Sequence, residues 1–383
     1  MIDYKKYFDI LCWSINPDYQ SIPDTKGMDW YDFYQFACEQ AIAGVAFVGI
    51  QRLGEHGVKP PLDVLMQWIA SASLIEQQNK AVNKAATELF KELKNDGLRG
   101  CILKGQGNGL MYPNVYSRTP GDIDVWARMD DGRGKKEDGR GLKADGRCKK
   151  GDVRDIIKYV KERNPNGKVC YHHIDGGKIG GVEVEVHYRP SFMNNPIHNY
   201  RLQKWYKMMA EGGRLMEEVE LPEGVGSIPV PTVEFNVVYQ LVHVFRHLLQ
   251  EGIGLRQIID YYYVLKSNTN HTDDTNIIVL LKHLGLAKIA GAMMWLLSEV
   301  LGLEEEYLIV PKNECLGKVL LAEILKGGNF GQYDIDNMKV NSQLGKNWQR
   351  IRRDFRMMRY FPSECIWEPV FRVYHFFWRK IYG

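Results

Sequence analysis

The sequence has few of the features of a secreted protein or of a protein stabilised by structural zinc. Its seven cysteines stand singly, at positions 12, 38, 101, 148, 170, 315 and 365, without a Cys-x-x-Cys pair. Disulfide frameworks and structural zinc sites need paired or regularly spaced cysteines. We therefore expect free thiols and no structural zinc.

Long apolar runs are also missing. A membrane-spanning helix needs ~18 or more consecutive apolar residues, and the best candidate, residues 289–303, is short and contains Glu299. The charged residues of the first seven positions are not followed by the apolar run of a secretory signal. We predict a cytoplasmic protein with no membrane span.

A general excess of positive charge is absent too. The formal net charge is +3, yet residues 131–151 carry eight basic and four acidic side chains, and residues 344–383 carry nine and three. The rest of the chain is therefore net acidic. Basicity is local, so the whole surface is not predicted to bind nucleic acid.

The sequence does contain an ordered succession of helix and strand patterns. Apolar residues recur at three- and four-residue spacing over residues 30–53 and 61–95, and helical patterns return from residue 231 onward. Strands are predicted over residues 101–103, 122–127, 168–175 and 182–188. The last two are predicted to form a hairpin around the glycine pairs at 176–177 and 180–181. A helix is predicted from Asp152 to about Asn164.

This order predicts an α+β fold in three parts. A small mixed-sheet core, residues 98–190, is expected between an N-terminal helical lobe, residues 1–97, and a C-terminal helical lobe, residues 191–383. The length of 383 residues and the 45% hydrophobic content are enough to bury such a core.

Within residues 131–151, the triplet Asp-Gly-Arg begins at 131, 138 and 145, a period of seven. The near absence of apolar residues excludes a coiled-coil seam, and the glycines and like charges predict a solvated, mobile loop. Two interpretations stay open: a basic arm for phosphate or nucleic acid, or a duplicated insertion that a surface loop tolerates. We favour the insertion.

Two predicted strands carry acidic residues on one face. In Gly121-Asp-Ile-Asp-Val, alternation puts Asp122 and Asp124 on the face opposite Ile123. In Val-Glu-Val-Glu-Val-His, it puts Glu183, Glu185 and His187 together. Mg²⁺ prefers such oxygen ligands, and a third carboxylate could complete a metal site or accept a proton. A solvated sheet face is the alternative.

A glycine-rich segment, Leu103-Lys104-Gly105-Gln106-Gly107-Asn108-Gly109, follows the first strand. Its glycines could let backbone amides approach a phosphate that Lys104 neutralises. It is neither a Walker loop nor a dinucleotide fingerprint, so its meaning depends on its neighbours.

Taken together, these motifs resemble the uncharacterised nucleotidyltransferase family of bacteria, which belongs to the DNA polymerase beta-like nucleotidyltransferase superfamily. The resemblance covers about residues 101–265. It is carried by Leu-Lys-Gly, Tyr112-Pro113, Arg118, Gly-Asp-Ile-Asp, the Glu-x-His strand, and the segments 239–247 and 255–260.

The resemblance implies that Asp122 and Asp124 hold Mg²⁺ or Mn²⁺, with Glu185 as the third acidic residue and Glu183 as its alternative. It also implies that Lys104 and Arg118 face the triphosphate of a nucleotide that Gly105, Gln106 and Gly121 help to bind. The superfamily usually has Gly-Ser where this chain has Gly105-Gln106.

Other residues are predicted to line the cleft. His243 and His247 lie one helical turn apart but lack the Glu of a zinc-protease motif. Arg256 and Asp260, also four apart, could form a helix ion pair or brace the cleft. The candidates are Glu183, His187, His243, His247, Arg256 and Asp260.

The C-terminal segment mixes arginines at 350–359 with aromatic residues and ends in Phe376-Phe377-Trp378-Arg379-Lys380. Such a pattern could bind RNA or an anionic membrane. We favour the alternative, a helix whose aromatic residues pack on the body while its arginines reach solvent.

The predicted reaction is transfer of a nucleoside monophosphate from a nucleoside triphosphate to an acceptor hydroxyl, with release of pyrophosphate. The acceptor could be a small molecule, a sugar, a protein or RNA. One alternative is an inactive nucleotide-binding or regulatory module of the same fold, and a second is a nucleic-acid-binding protein that uses the basic loop and tail.

Overall fold

The computed structural model describes residues 4–19, 21–129, 151–213, 215–268, 274–333 and 343–383. The predicted insertion lies outside these residues except for its last residue, Gly151, which begins a helix. Within the described ranges, no helix combines the length and the apolar content needed to cross a bilayer.

Helices make up the N-terminal part of the chain. They are α1 (Tyr4–Ile15), α2 (Trp30–Glu39), α3 (Ala43–Glu55) and α4 (Leu62–Asn95). The helices predicted over residues 30–53 and 61–95 are confirmed, with a break at Ala41, whose φ of 55° is incompatible with continuing α2. Asp29 caps α2 by accepting hydrogen bonds from two backbone amides of its first turn. Helix α1 lies outside the predicted helices.

A mixed four-stranded sheet follows. Its strands are β1 (Leu98–Ile102), β2 (Ile123–Met129), β3 (His173–Ile179) and β4 (Val182–His187). They lie in the order β1-β2-β4-β3, with β2 and β4 parallel and the outer pairs antiparallel. A parallel pair needs a crossover connection, which here contains α6 (Gly151–Arg163). The predicted α+β class with a small mixed sheet is confirmed.

The β3–β4 hairpin differs from its prediction. It turns at Gly180 and Gly181, whose φ values of 56° and 85° suit glycine. The other glycine pair lies inside β3, where the register shifts between Asp175 and Gly177. Because that pair forms a bulge rather than part of the turn, β3 lies further along the chain than the predicted residues 168–175.

A second hairpin was not predicted. It consists of β5 (Met216–Glu220) and β6 (Ser227–Pro231), paired antiparallel. The acid-rich composition of β5 and the two prolines of β6 are unfavourable for a central strand, but a two-stranded sheet tolerates them.

The predicted loop after β1 also contains a short helix, α5 (Gln106–Gly109). Gly107 in this helix packs closely on β6. A Cβ at this position would lie only 2.7 Å from Cγ1 of Val230. This glycine therefore serves packing and not the approach of a phosphate.

The remaining helices form the C-terminal part. They are α7 (Pro196–Glu211), α8 (Val233–Gln250), α9 (Leu255–Ser267), α10 (Asp274–His283), α11 (Ala287–Glu299), α12 (Glu314–Gly327), α13 (Gln343–Met358) and α14 (Pro362–Tyr382). The favoured interpretation of the tail holds for Trp378, which is buried, but is wrong for Phe376 and Phe377, which are exposed.

Buried apolar side chains form two clusters. One joins α1–α3 to α8, α9 and α11, and the other joins the four-stranded sheet to α6 and to Trp378. Helix α4 belongs to both, with Trp68 and Ile75 in the first and Val82 and Leu89 in the second. The domain boundaries at residues 97 and 190 stay predictions.

Candidate active site

The parallel pairing of β2 with β4 brings acidic side chains from distant parts of the chain together. Asp124 lies directly opposite Glu185 in the register, and Trp126 lies opposite His187. Alternation along β2 buries Ile123 and Val125 on the other face.

Asp124 is the most enclosed acid of this group, with 3% of its side chain exposed. Its Oδ1 accepts a hydrogen bond from Nε2 of His187 at 3.0 Å, and its Oδ2 lies 3.0 Å from Nζ of Lys104. Burial alone would raise the pKa of Asp124, but Lys104 and His187 hold it well below its usual value. Asp124 is therefore a carboxylate.

Lys104 stays charged for the complementary reason. Burial works against its ammonium group, but Asp124 and Asp122 together raise its pKa above the usual value. The sequence-predicted lysine thus lies against the first carboxylate of the site.

Asp122 lies just before β2, exposed at the mouth of a cleft that Lys104 and Gly121 also line. The neighbouring Asp124 carboxylate, followed by partial desolvation, raises the pKa of Asp122 to about 6. Crowding of negative charge is the main cause, and a cation would relieve it.

Glu185 and Glu183 have different surroundings. Oε2 of Glu185 lies 3.4 Å from both Nδ1 of His173 and Nε2 of His187. Glu183 instead pairs with Lys178 at 2.7 Å on the exposed surface of the hairpin. The structure therefore brings Glu185 to Asp124 and leaves Glu183 outside the group.

Three groups missed in the sequence extend this cluster. Nδ1 of His173 lies 3.1 Å from Nε2 of His172, which also accepts a hydrogen bond from Arg246 at 2.7 Å. Burial, reinforced by Arg246, lowers the pKa of His172 well below its usual value, so this ring is neutral. The adjacent histidines within the predicted strand 168–175 were the available signal, and Arg246 lay in the segment 239–247 of the family resemblance without being singled out.

Arg118 does not point freely into the cleft. Its Nε and Nη2 each donate a 2.7 Å hydrogen bond to the carboxylate of Asp260, and the hydroxyl of Tyr112 donates a third at 2.6 Å. Burial favours a neutral acid, yet Arg118 lowers the pKa of Asp260 below its usual value. This buried pair fastens α9 to the loop before β2.

Arg256 has no carboxylate partner among the described ion pairs, although Asp260 follows one turn later. Its Nη1 donates hydrogen bonds to the carbonyls of Thr119 at 3.1 Å and Pro120 at 3.4 Å, and its buried Nε has no partner. Burial, followed by repulsion from Arg118, lowers the pKa of Arg256 to about 10. Arg256 is thus a cation that lacks an anion.

The cleft is open to solvent and lies between the loops that flank β1 and β2 and helices α8 and α9. Of the predicted site residues, those that line it are Lys104, Gly105, Arg118, Gly121, Asp122, His243, Arg256 and Asp260. Burial, then Lys104, lowers the pKa of His243 well below its usual value, so its ring is neutral.

Two other candidates lie away from this lining. His247 hydrogen-bonds Glu251 at 3.2 Å. Gln106 is buried, and its amide donates a hydrogen bond to Asn83 of α4.

The donor set fits a divalent cation. Ligand atoms of Asp124, Glu185 and His187 lie within 4.8 Å of one another, and the neighbouring sets His172, His173, His187 and His173, Asp175, Glu185 meet the same limit. Carboxylate oxygens suit Mg²⁺ and Mn²⁺, and imidazole nitrogens favour a transition metal. Asp122 belongs to none of these sets and lines the cleft beside them.

Comparison with known proteins gives the family of the chain. Residues 26–302 match the model of a family described as an uncharacterised nucleotidyltransferase. No curated protein matches the chain. The fold is similar to the crystal structure of an antigenic nucleotidyltransferase-like protein from Paracoccidioides brasiliensis, at 12% identity and a TM-score of 0.31, covering 62% of this chain and 96% of that one. So low a TM-score carries no weight, and the assignment rests on the sequence match. The chain belongs to the family of uncharacterised nucleotidyltransferases.

Proposed function

We propose that the protein transfers a nucleoside monophosphate from a nucleoside triphosphate to an acceptor hydroxyl, with a divalent cation and release of pyrophosphate. The observation that carries the proposal is the pairing of Asp124 with Glu185 across parallel strands, beside a cleft that contains Lys104 and Arg256. The membership in a nucleotidyltransferase family supports it.

The carboxylates Asp122, Asp124 and Glu185 would hold Mg²⁺ or Mn²⁺. A divalent ion at this place stabilises negative charge on the triphosphate and on the attacking oxygen. His187 orients Asp124 through its hydrogen bond at 3.0 Å, so that one carboxylate oxygen is held in place and the other is shared with Lys104.

The triphosphate needs cations with donors that face the cleft, and Lys104, Arg118 and Arg256 all line it. Lys104 pairs with Asp124 at its edge at 3.0 Å, Arg118 has two of its donors on the buried Asp260, and Arg256 has an unpaired Nε. We therefore assign the triphosphate to Lys104 and Arg256, and treat Arg118 as the residue that positions α9. Gly105 and Gly121 line the same cleft.

The chemical step is a displacement at the α-phosphorus. The acceptor oxygen forms a bond to that phosphorus, and the bond to the bridging oxygen of the β-phosphate breaks, so that pyrophosphate leaves. Glu185 is the proposed general base, because it is an ionised carboxylate: burial opposes its charge, but His187 lowers its pKa below the usual value. We also propose that the protein acts in the cytoplasm.

The test compares Asp124→Asn with Glu183→Gln. Both replace a carboxylate by an amide of the same shape, on paired strands, but only Asp124 lies in the site. We expect Asp124→Asn and Asp122→Ala to abolish pyrophosphate release from the four common nucleoside triphosphates with Mg²⁺ or Mn²⁺, and Glu183→Gln to leave it unchanged. Turnover that survives Asp124→Asn would refute the proposal.

One observation favours a second candidate, an inactive nucleotide-binding module. Gln106 replaces the serine of the usual Gly-Ser, and its side chain is turned to Asn83. Calorimetric titration with a triphosphate and Mg²⁺ separates the two functions, because a module of this kind binds the nucleotide without releasing pyrophosphate.

A further inference from the structure

The outward face of α14 is apolar. Seven of its side chains, 38–67% exposed, fall within an arc of roughly 120° at 3.6 residues per turn. They are Ile366, Trp367, Val370, Val373, Tyr374, Phe377 and Ile381. We call this set the apolar stripe. It runs for about 22 Å along the helix, at 1.5 Å per residue.

The inward face of α14 is fixed to the body by specific contacts. Glu364 is buried and accepts hydrogen bonds from the backbone amides of Asn194 at 2.7 Å and Asn195 at 3.1 Å, while its other oxygen pairs with His198 at 2.8 Å. Trp378 packs in the sheet cluster near the other end. Rotation that would bury the apolar stripe would break these contacts.

The exposed charges of α13 and α14 have one sign. Over residues 350–383, every exposed charged side chain is basic: Arg350, Arg352, Arg356, Arg359, Arg379 and Lys380. Of these, Arg356 pairs with Glu323 of α12 at 2.7 Å. The acidic residues of the same region, Asp354, Glu364 and Glu368, are buried. The surface that α13 and α14 present to solvent is therefore apolar and cationic together.

We propose that α14 lies in the plane of an anionic lipid bilayer, with the apolar stripe among the acyl chains and the basic residues at the headgroups. Amphipathic helices that bind in this way combine Trp, Phe and aliphatic residues on one face with Lys and Arg beside it. The family match ends at residue 302, so α14 lies outside the matched residues, and the inference does not depend on the proposed activity.

The composition of the surface disfavours other occupants. A second copy placed on the apolar stripe would bring two sets of arginines together, which is unfavourable. Single-stranded nucleic acid would use the aromatic rings for stacking, but Ile366, Val370, Val373 and Ile381 offer no ring. An acyl-chain environment accepts all seven side chains.

The experiment is co-sedimentation of the whole protein with vesicles. One set contains equal parts of phosphatidylcholine and phosphatidylglycerol, and the other contains phosphatidylcholine alone. The test variant is Phe377→Ser with Ile381→Ser, whose positions are 58% and 67% exposed. The matched control is Ile197→Ser with Tyr200→Ser on α7, at 58% and 69%.

We expect binding to the anionic vesicles only, reduced roughly tenfold or more in the α14 variant, because each large apolar side chain contributes through its buried area. The α7 variant should bind like the unaltered protein. Added salt should weaken binding by screening the arginines.

Three outcomes would overturn the proposal. One is equal binding by both variants, and a second is the absence of binding to either vesicle. The third is self-association in sedimentation velocity, or retention of single-stranded RNA, that the α14 variant loses while vesicle binding stays the same. Far-ultraviolet circular dichroism of both variants checks that the fold is intact.

Discussion

Replacing Asp260 by Asn should lower the free energy of unfolding by about 3–5 kcal/mol, because Arg118 would remain charged in the interior without an anion. Only 5% of Arg118 and 3% of Asp260 are exposed, so water cannot replace the lost carboxylate. The amide keeps the shape of the side chain but can accept at one oxygen only, whereas the carboxylate accepts three hydrogen bonds at 2.6–2.7 Å.

Urea unfolding at neutral pH measures this difference. The double variant Arg118→Met with Asp260→Leu is the control, since removing both charges of a buried pair often costs little. It should be more stable than Asp260→Asn alone. A loss below about 1 kcal/mol in the single variant would refute the reasoning, because it would equal the net value of an ordinary hydrogen bond.

The pH dependence gives an independent check on the same pair. Although burial opposes it, Arg118 lowers the pKa of Asp260 in the folded state. Its stabilising contribution is therefore complete above the unfolded pKa of about 3.9 and is lost as the pH falls through the lower folded value. Asp260→Asn should remove this part of the acid sensitivity.

Three other predictions concern packing, metal and protons. Gly107→Ala should lose about 1–3 kcal/mol in urea unfolding, because its methyl group would overlap Val230, and Val230→Ala in the same chain should restore part of it; an unchanged midpoint would contradict the packing. Mg²⁺ or Mn²⁺ at a hundred times its dissociation constant should stabilise the protein by ~2.7 kcal/mol in thermal unfolding, and a shift that persists in Asp124→Asn would mean that the ion binds elsewhere. Burial lowers the pKa of His247 to about 4 in the folded state. Between about pH 6.5 and 4 the histidine is therefore protonated in the unfolded chain but neutral in the folded one. As the pH decreases through this range, the free energy of unfolding should fall by up to ~1.4 kcal/mol per pH unit. His247→Gln should flatten this slope, and an identical slope would show that other groups cause it.

Strand alternation was enough to place the acids of the sheet on common faces, but not to choose between them. Both Glu183 and Glu185 share a face, and only the register of β4 against β2 decides which lies beside Asp124. That register depends on the crossover that returns the chain to the side of β2. The crossover is not encoded in the local pattern, so both glutamates had to be considered.

Long-range ion pairs could not be predicted from the sequence for a similar reason. The four-residue spacing of Arg256 and Asp260 suggested a local pair, yet Asp260 binds Arg118, which precedes it by 142 residues. Helical spacing describes neighbours on one element and contains no information about a loop folded onto it. The buried partner of Asp260 is therefore Arg118 and not Arg256.

The sequence also did not predict which face of α14, in the C-terminal tail, packs on the body. Its amphipathic spacing is visible in the sequence, but aromatic residues lie on both faces of α14, with Trp378 inward and Phe377 outward. Hydrophobicity alone cannot tell which face meets the body. The buried Glu364, held by backbone amides of the α7 cap, makes that choice.

Helix α4 is 34 residues long, about 50 Å at 1.5 Å per residue, and its two ends belong to different apolar clusters. One continuous helix therefore supplies side chains to both the helical body and the sheet that carries the acids. The N-terminal packing fixes one end of this helix, and the sheet packs against its other end. The position of the acidic site is thus tied through α4 to helices α1–α3, even though no residue of α1–α3 touches it among the described contacts.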